Sequence, residues 1–250
     1  MKIAAAMASV LLLAGCSTVQ GEAAPREPQG TLTIFAAASL TETFDAMATK
    51  LEQLYPSLDV VINYGGSSAL ATQIVQGAPA DLFAAASPEA MRPIVDAGLT
   101  ANPVDFATNT LEIATPAGNP GGVRSLADFA NPNLAIALCA VEVPCGAAAK
   151  TVLDDASLTP SVDTYEQDVK AVLTKVELGE VDAGLVYVTD VIAAGDAVEG
   201  IEFAGAARAV ARYQIASLTT GLNSAAVATF LSYLQTDGQR ILDEAGFGAP

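Results

Sequence analysis

The sequence predicts an α/β fold built as two lobes. Short apolar runs alternate with helix-like stretches along most of the 250 residues, an order typical of a mainly parallel sheet covered by helices. Hydrophobic residues make up 52% of the chain, which is ample material for buried cores. The chain leaves a first βα unit near residues 109–111, and the sequence after Thr219 is helical without a clear strand. These features predict that lobe 1 comprises residues 31–109 and 219–250, and lobe 2 residues 110–218.

The first 16 residues have the pattern of an export signal. Lys2 supplies the positive start, and residues 3–13 form an apolar stretch that is too short to span a bilayer permanently. The following Leu-Ala-Gly-Cys ending is similar to the lipobox of bacterial lipoproteins, so Cys16 is the predicted site of lipid attachment to the cell membrane. An ordinary signal with a chance cysteine is the alternative. Residues 17–30 are polar and predict a flexible tether.

Beyond the tether, strands and helices are predicted in alternation. The strands are short and apolar, and they lie at 31–37, 60–63, 81–86, 111–115, 134–138, 183–188 and 213–218. The helical stretches lie at 40–54, 69–76, 88–96, 146–154, 168–178 and 224–235. Ligand sites of such sheets form at the carboxyl ends of the strands.

Two serine segments each end an apolar run and open a helical stretch. Residues 35–40 (Phe-Ala-Ala-Ala-Ser-Leu) contain Ser39, and residues 64–70 (Tyr-Gly-Gly-Ser-Ser-Ala-Leu) contain Ser67. The first N–H groups of a helix lack an internal partner, and the helix dipole places about half a positive charge there. Each segment can therefore offer N–H and hydroxyl donors to an anion. Plain helix capping by serine is the structural alternative.

The charge balance excludes several classes of partner. The chain has 11 basic and 28 acidic residues, no histidine and a net charge of −17. Such a chain repels nucleic acid and anionic membrane surfaces, so no nucleic-acid partner is predicted, and the membrane is reached through the lipid anchor alone. An anionic ligand would have to be held by local dipoles rather than by long-range attraction.

The cysteines predict one disulfide. Apart from Cys16, the chain contains Cys139 and Cys145, which lie close together in an exported protein, and an oxidising compartment favours their pairing. So short a loop would contribute about 2 kcal/mol in the chain-entropy model. Two cysteines without histidine do not complete a tetrahedral zinc site, so no metal coordinated directly by side chains is expected.

Several motifs, in order, resemble the periplasmic molybdate-binding proteins of ABC transporters. Besides the two serine segments, they are Gln-Ile-Val-Gln-Gly-Ala-Pro-Ala-Asp-Leu-Phe at 73–83, Val-Pro-Cys-Gly at 143–146, Asp-Val-Lys at 168–170, Gly-Leu-Val-Tyr at 184–187 with Thr-Asp at 189–190, and Gly-Phe at 246–247. The likeness runs from about Thr31 to the C-terminus. It implies a type II periplasmic-binding-protein-like fold, with two chain crossings between lobes that close on the ligand like a hinge.

The resemblance also implies the ligand and the partners. The ligand would be molybdate or tungstate, and the partner the membrane permease of an ABC transporter with its ATPase. We expect the protein to act outside the cytoplasm as a monomer, without a cofactor. Carried over onto this sequence, the ligand set consists of hydroxyl and backbone N–H donors from Ser39 and Ser67, backbone N–H donors from Cys145 and Val169, and the hydroxyl of Tyr187.

Some neighbouring residues are given other roles. The family commonly has alanine where Cys145 stands, and a backbone contact tolerates that change. Gly66 stands where a serine is often seen, which leaves the role of Ser68 open. Lys170 is predicted to be solvated at its helix start rather than to be a ligand. Asp81 is predicted to fix backbone N–H groups around its turn, because its carboxylate would repel an anion.

Other functions remain as alternatives. Sulfate has the same charge as molybdate but shorter bonds to oxygen. Phosphate carries a proton at neutral pH and needs an acceptor, which the predicted set does not supply. A ferric-ion receptor would use clustered tyrosines or carboxylates. A serine hydrolase needs a base beside its nucleophile, and the sequence contains neither histidine nor Gly-x-Ser-x-Gly, so no enzyme is expected.

Overall fold

The computed structural model describes residues 27–100 and 102–250 and confirms a two-lobed α/β fold. Each lobe is built on one five-stranded sheet with helices packed against it. The predicted export signal, with Cys16, and residues 17–26 of the predicted tether lie outside the described residues. Among the helices that are described, none combines the length and the apolar character needed to cross a membrane.

Ten strands and eight α helices occur in the described residues. The strands are β1 (Gly30–Ala37), β2 (Leu58–Gly65), β3 (Leu82–Ala85), β4 (Val104–Asn109), β5 (Leu111–Pro116), β6 (Ile136–Cys139), β7 (Thr164–Glu166), β8 (Ala183–Tyr187), β9 (Val198–Ile201) and β10 (Ala211–Ser217). The helices are α1 (Thr41–Leu54), α2 (Ser67–Val75), α3 (Pro88–Asp96), α4 (Pro144–Asp155), α5 (Val169–Glu177), α6 (Val188–Ala194), α7 (Ser224–Leu234) and α8 (Asp237–Glu244).

Every strand and helix predicted from the sequence is present, and five further elements were missed. These are β4, β7, β9, α6 and α8. The strands β7 and β9 span only three and four residues and are largely solvent-accessible, so they lack a buried apolar run. Helix α6 has seven residues and begins after a tyrosine rather than after one of the usual capping residues.

Both sheets are mixed, whereas a mainly parallel arrangement was predicted. The strand order is β2-β1-β3-β10-β4 in lobe 1 and β7-β6-β8-β5-β9 in lobe 2. In lobe 1, β1 is parallel to β2 and β3, and β10 is antiparallel to β3 and β4. In lobe 2, β6 is parallel to β7 and β8, and β5 is antiparallel to β8 and β9. The antiparallel pairs involve the strands next to the two crossings.

The chain crosses out of lobe 1 where predicted and returns earlier than predicted. The outgoing crossing lies at Thr110, between β4 and β5. On the way back, β10 already belongs to the lobe 1 sheet, so lobe 2 ends before Ala211 and the predicted boundary at 218/219 is wrong. An apolar run predicts a buried strand but does not say which sheet that strand joins.

Asp81 has the structural role that was predicted, although its partners lie further away than expected. Its Oδ2 atom accepts the Thr33 N–H at 2.8 Å, and its Oδ1 atom accepts the N–H groups of Leu222 and Asn223 at 2.8 and 3.2 Å. The carboxylate therefore links β1 to the segment before α7, rather than fixing N–H groups of its own turn. It joins the two parts of the chain that form lobe 1.

Candidate functional site

All five residues predicted as ligands line one small cavity between the lobes. The cavity has a volume of about 20 Å³ and is lined by Ser39, Ser67, Cys145, Val169 and Tyr187, together with Ala37, Ala38, Gly65, Gly66, Ala86, Val143, Pro144 and Asp168. Residues of both lobes therefore border the same small space.

The lobe 1 side of the cavity follows from the pairing of two parallel strands. Strands β1 and β2 run side by side with Ala37 opposite Gly65, so their carboxyl ends meet at one edge of the sheet. Ser39 lies in the short 3-10 turn Ala38–Leu40 that leads from β1 into α1, and Ser67 is the first residue of α2. Both serines are buried. Parallel pairing thus brings the two predicted serine segments together.

Each serine hydroxyl already has a protein partner. The Ser67 Oγ atom accepts the Ala86 N–H at 3.1 Å, which leaves the hydroxyl proton of Ser67 free to donate. The Ser39 Oγ atom lies 2.8 Å from the phenolic oxygen of Tyr213, and both residues are buried. Sequence reasoning missed Tyr213, because it lies 174 residues away in the sequence and no local pattern indicates the contact.

In lobe 2, two helix starts border the cavity. Pro144 is the first residue of α4 and has no N–H, so the N–H of Cys145 is the first that this helix offers. The predicted disulfide is present: Cys145 is bonded to Cys139 at the end of β6, with 5.8 Å between their Cα atoms. The bond holds the start of α4 to the strand that precedes it.

The second helix start in lobe 2 is that of α5, whose first residue is Val169. The side chain of Asp168 caps this helix by accepting the Ala171 N–H at 3.0 Å, which leaves the Val169 N–H for another acceptor. Asp168 also lines the cavity. An acidic side chain therefore borders the site, which the predicted ligand set did not include.

Tyr187 places a hydroxyl without a hydrogen bond at the cavity. The residue ends β8 and immediately precedes α6, and its side chain is 1% exposed. Within the described part of the chain, its phenolic oxygen has no hydrogen-bond partner. Burial raises the pKa of this hydroxyl well above its usual value, so it keeps its proton and can act as a donor. A buried hydroxyl donor without an acceptor indicates that a bound ligand supplies the missing acceptor.

The residues match one family over most of the chain. A model of the bacterial extracellular solute-binding proteins matches residues 32–248. The chain belongs to this family. It is 37% identical over 252 residues to a Mycobacterium tuberculosis protein named molybdate-binding protein ModA, an alignment that covers 98% of this chain and 97% of the relative.

Two further comparisons place this solute-binding protein among its relatives. A Bacillus subtilis protein, YvgL, provisionally named an ABC transporter substrate-binding lipoprotein, is 33% identical over 98% of this chain and 96% of its own length. The solved structure of the Azotobacter vinelandii periplasmic molybdate-binding protein superposes with a TM-score of 0.78 at 21% identity, covering 88% of this chain and 99% of that one. The superposition with the Azotobacter vinelandii structure shows that the two proteins share a fold.

In this solute-binding protein, Lys170 is not solvated at its helix start, in contrast to the prediction. Its side chain is 22% exposed, and its Nζ atom lies 2.8 Å from a Glu42 carboxylate oxygen and 3.1 Å from one of Asp190. Glu42 lies in α1 of lobe 1, whereas Lys170 and Asp190 lie in α5 and α6 of lobe 2. The ammonium therefore joins the two lobes.

Asp190 is a buried carboxylate directly behind Tyr187. It is fully buried, its Oδ2 atom accepts the Tyr187 N–H at 3.0 Å, and its other oxygen faces Lys170. Burial raises the pKa of Asp190 to about 6, against the opposing effect of the Lys170 ammonium and the Tyr187 N–H. Lys170 is thus the cation that keeps this carboxylate charged at neutral pH.

The lobes also touch at the edge of the cavity through Gly66 and Ser68. The Ser68 hydroxyl donates to the Glu142 carbonyl oxygen at 2.6 Å, which is a role for the serine whose function the sequence left open. A Cβ atom on Gly66 would lie 2.2 Å from the Gln167 carbonyl oxygen. The absence of a side chain at Gly66 therefore permits this close approach of the lobes.

Proposed function

We propose that this solute-binding protein captures molybdate outside the cytoplasm and delivers it to the membrane permease of an ABC transporter. The observation that carries the proposal is the buried hydroxyl of Tyr187, which has no hydrogen-bond partner among the described residues and faces a small interlobe cavity together with the other predicted donors. Relatives named as molybdate-binding, matched over 98% and 83% of this chain, support the choice of ligand.

The donor set suits an anion that carries no proton. Molybdate is fully deprotonated at neutral pH, so it can accept hydrogen bonds only. Besides Ser39, which precedes α1, the helices α2, α4 and α5 begin at residues that line the cavity. These helix starts and three hydroxyl groups supply neutral donors, and local dipoles can hold a dianion in a protein of net charge −17.

Tungstate has the same charge as molybdate and nearly the same size, so we propose that it binds as well. The protein would act as a monomer, without a cofactor and without turnover. The lobes contact each other at Lys170–Glu42 and at Ser68–Glu142. These contacts have to break before the ligand can leave, which is the step that the permease with its ATPase would drive.

Titration calorimetry with four anions tests the ligand. We expect comparable, tight binding of molybdate and tungstate, and binding of sulfate and phosphate weaker by roughly a hundred-fold or more. Two donors that fail to reach the shorter sulfate ion, at about 1.5 kcal/mol each, account for that factor. Tighter binding of sulfate than of molybdate would contradict the proposal. Tight phosphate binding would contradict it as well, and would point to the Asp168 carboxylate as the acceptor of the phosphate proton.

We also propose that Cys16 carries a lipid that anchors the mature protein to the cell membrane. The Leu-Ala-Gly-Cys ending of the export signal and the polar residues that follow it support this. In Cys16→Ser, the protein should move from the membrane fraction to the soluble or secreted fraction, whereas the neighbouring control Thr18→Ala should stay with the membrane. Fractionation followed by immunoblotting measures this, and a Cys16→Ser protein that remains membrane-bound would rule out the anchor.

A further inference from the structure

Tyr213 lies outside the predicted ligand set, yet it contacts one of its members. The residue belongs to β10, the strand with which the chain returns to lobe 1. Its phenolic oxygen lies 2.8 Å from the Ser39 Oγ atom, and both side chains are buried. The side chain of Asn109 is a further hydrogen-bonding neighbour of the Tyr213 hydroxyl.

The position of the Tyr213 ring is held by aromatic neighbours. Its centroid lies 5.3 Å from that of Phe247, 6.1 Å from that of Phe106 and 6.2 Å from that of Tyr187, in edge-to-face arrangements. The side chain is fully buried. A ring packed in this way presents its hydroxyl to Ser39 at one fixed place.

The chemistry of the two hydroxyls decides which of them donates. If Ser39 donated to Tyr213, the Tyr213 proton would lack an acceptor and the lone pairs of Ser39 would face the anion. If Tyr213 donates to Ser39, both protons are used, because the Ser39 proton then points to the anion. Burial raises the pKa of Tyr213, so the phenol retains the proton that this arrangement needs.

We propose that Tyr213 is a positioning residue which, by donating to Ser39, turns the Ser39 hydroxyl into a donor directed at the bound oxyanion. The inference rests on the proposed function, since it concerns how the same site holds its ligand. It also adds a reason for the exclusion of protonated anions. With its orientation set by Tyr213, Ser39 offers its proton and not a lone pair to the ligand, so a hydroxyl group on the anion finds no acceptor there.

A double-mutant cycle measured by titration calorimetry tests this role. Tyr213→Phe keeps the ring and removes the hydroxyl, and we expect it to weaken molybdate binding about tenfold in the wild-type background. In the Ser39→Ala background, the same change should have an effect of less than twofold. In Ser67→Ala, it should keep its tenfold effect, because Ser67 has a separate partner in the Ala86 N–H.

Tyr64→Phe provides the matched control. The Tyr64 hydroxyl also makes hydrogen bonds, to Asp45 at 2.7 Å and to the Thr41 carbonyl oxygen at 3.2 Å, but it lies outside the cavity lining. We expect this variant to bind molybdate as the wild type does. Thermal unfolding of each ligand-free variant shows that the fold is retained, so that a change in affinity reports on the site.

The cycle separates the failure of this inference from the failure of the proposed function. A wild-type protein that does not bind molybdate contradicts the proposed function. If the wild type binds and Tyr213→Phe changes affinity less than twofold, or by the same factor with and without the Ser39 hydroxyl, Tyr213 does not act through Ser39. As a second readout, Tyr213→Phe should lower the ratio of molybdate to phosphate affinity, and an unchanged ratio argues against the role in specificity.

Discussion

Replacing Tyr187 with phenylalanine should weaken molybdate binding by roughly ten- to a hundred-fold, while the ligand-free protein becomes no less stable. The Tyr187 hydroxyl would donate a hydrogen bond to the anion, and a hydrogen bond to a charged group contributes about 1.5–3 kcal/mol. In the ligand-free protein the same hydroxyl is buried without a partner among residues 27–100 and 102–250, so its removal takes away a desolvation cost rather than a hydrogen bond. Affinity and stability should therefore change in opposite directions.

Calorimetry and chemical unfolding of the same Tyr187→Phe sample measure the two effects. Tyr64→Phe is the control, because the Tyr64 hydroxyl is bonded to Asp45 and its loss should lower stability without changing affinity. A Tyr187→Phe protein that binds molybdate normally would mean that this hydroxyl does not contact the ligand. Loss of stability in the ligand-free variant would mean that the hydroxyl has a partner within the protein.

Replacing Lys170 with methionine should lower the free energy of unfolding by about 2 kcal/mol at neutral pH. The change leaves the buried carboxylate of Asp190 without its cation, and removal of one partner of a fully buried pair costs about 3–5 kcal/mol. The Lys170 side chain is 22% exposed, so we expect a value below that range. A loss of about 2 kcal/mol corresponds to a melting temperature lower by about 4–8 °C in a protein of this size.

The pH dependence of this loss identifies Asp190 as its cause. The pKa of Asp190 in the folded protein is about 6, above its ordinary value of 3.8. The stability that this group contributes is therefore fully present below pH 3.8 and is lost as the pH rises through about 6. In the wild type the positive charge of Lys170 lowers the pKa of Asp190, so this pKa should rise further in Lys170→Met. The destabilisation by Lys170→Met should therefore be larger at about pH 8 than at about pH 5.

Two control variants separate the roles of the Lys170 ammonium. Lys150→Met removes an exposed ion pair with Asp154 within α4 and should change neither stability nor binding. Glu42→Gln removes the ion pair that Lys170 makes across the lobes and should weaken molybdate binding by up to about fivefold. It should cost little stability, because Glu42 is half exposed. If Lys170→Met lowered the free energy of unfolding equally at pH 5 and pH 8, Asp190 would be excluded as the cause.

The local part of this molecule could be predicted from its sequence. Apolar runs place the main strands. Ser39 and Ser67 follow neighbouring parallel strands, so the edge at which they meet follows from general properties of α/β sheets. The disulfide between Cys139 and Cys145 spans a short loop and could also be predicted. In each case the residues that interact are close in sequence or occupy equivalent positions in repeated βα units.

The remaining features depend on contacts between distant parts of the chain. The partner of Ser39 lies 174 residues away on β10, and periodicity does not assign that strand to a sheet. A lysine in the first turn of a helix has the same local pattern whether it is solvated or paired, so the contacts of Lys170 with Glu42 and Asp190 have no sequence signal. The contact with Glu42 depends on how the two lobes meet, and the contact with Asp190 depends on how α5 and α6 pack within lobe 2.

The order of strands in lobe 1 has a consequence for how the chain matures. Strand β10 lies between β3 and β4, so that sheet, and the contact of Tyr213 with Ser39, cannot form until the residues from Ala211 onward have been made. The sheet of lobe 2 is continuous in sequence and can be completed while the C-terminal residues are still being synthesised. A chain truncated before β10 would leave β3 with an unpaired edge, a surface prone to aggregation and proteolysis. The proposed setting of Ser39 by Tyr213 therefore requires a chain that extends through β10.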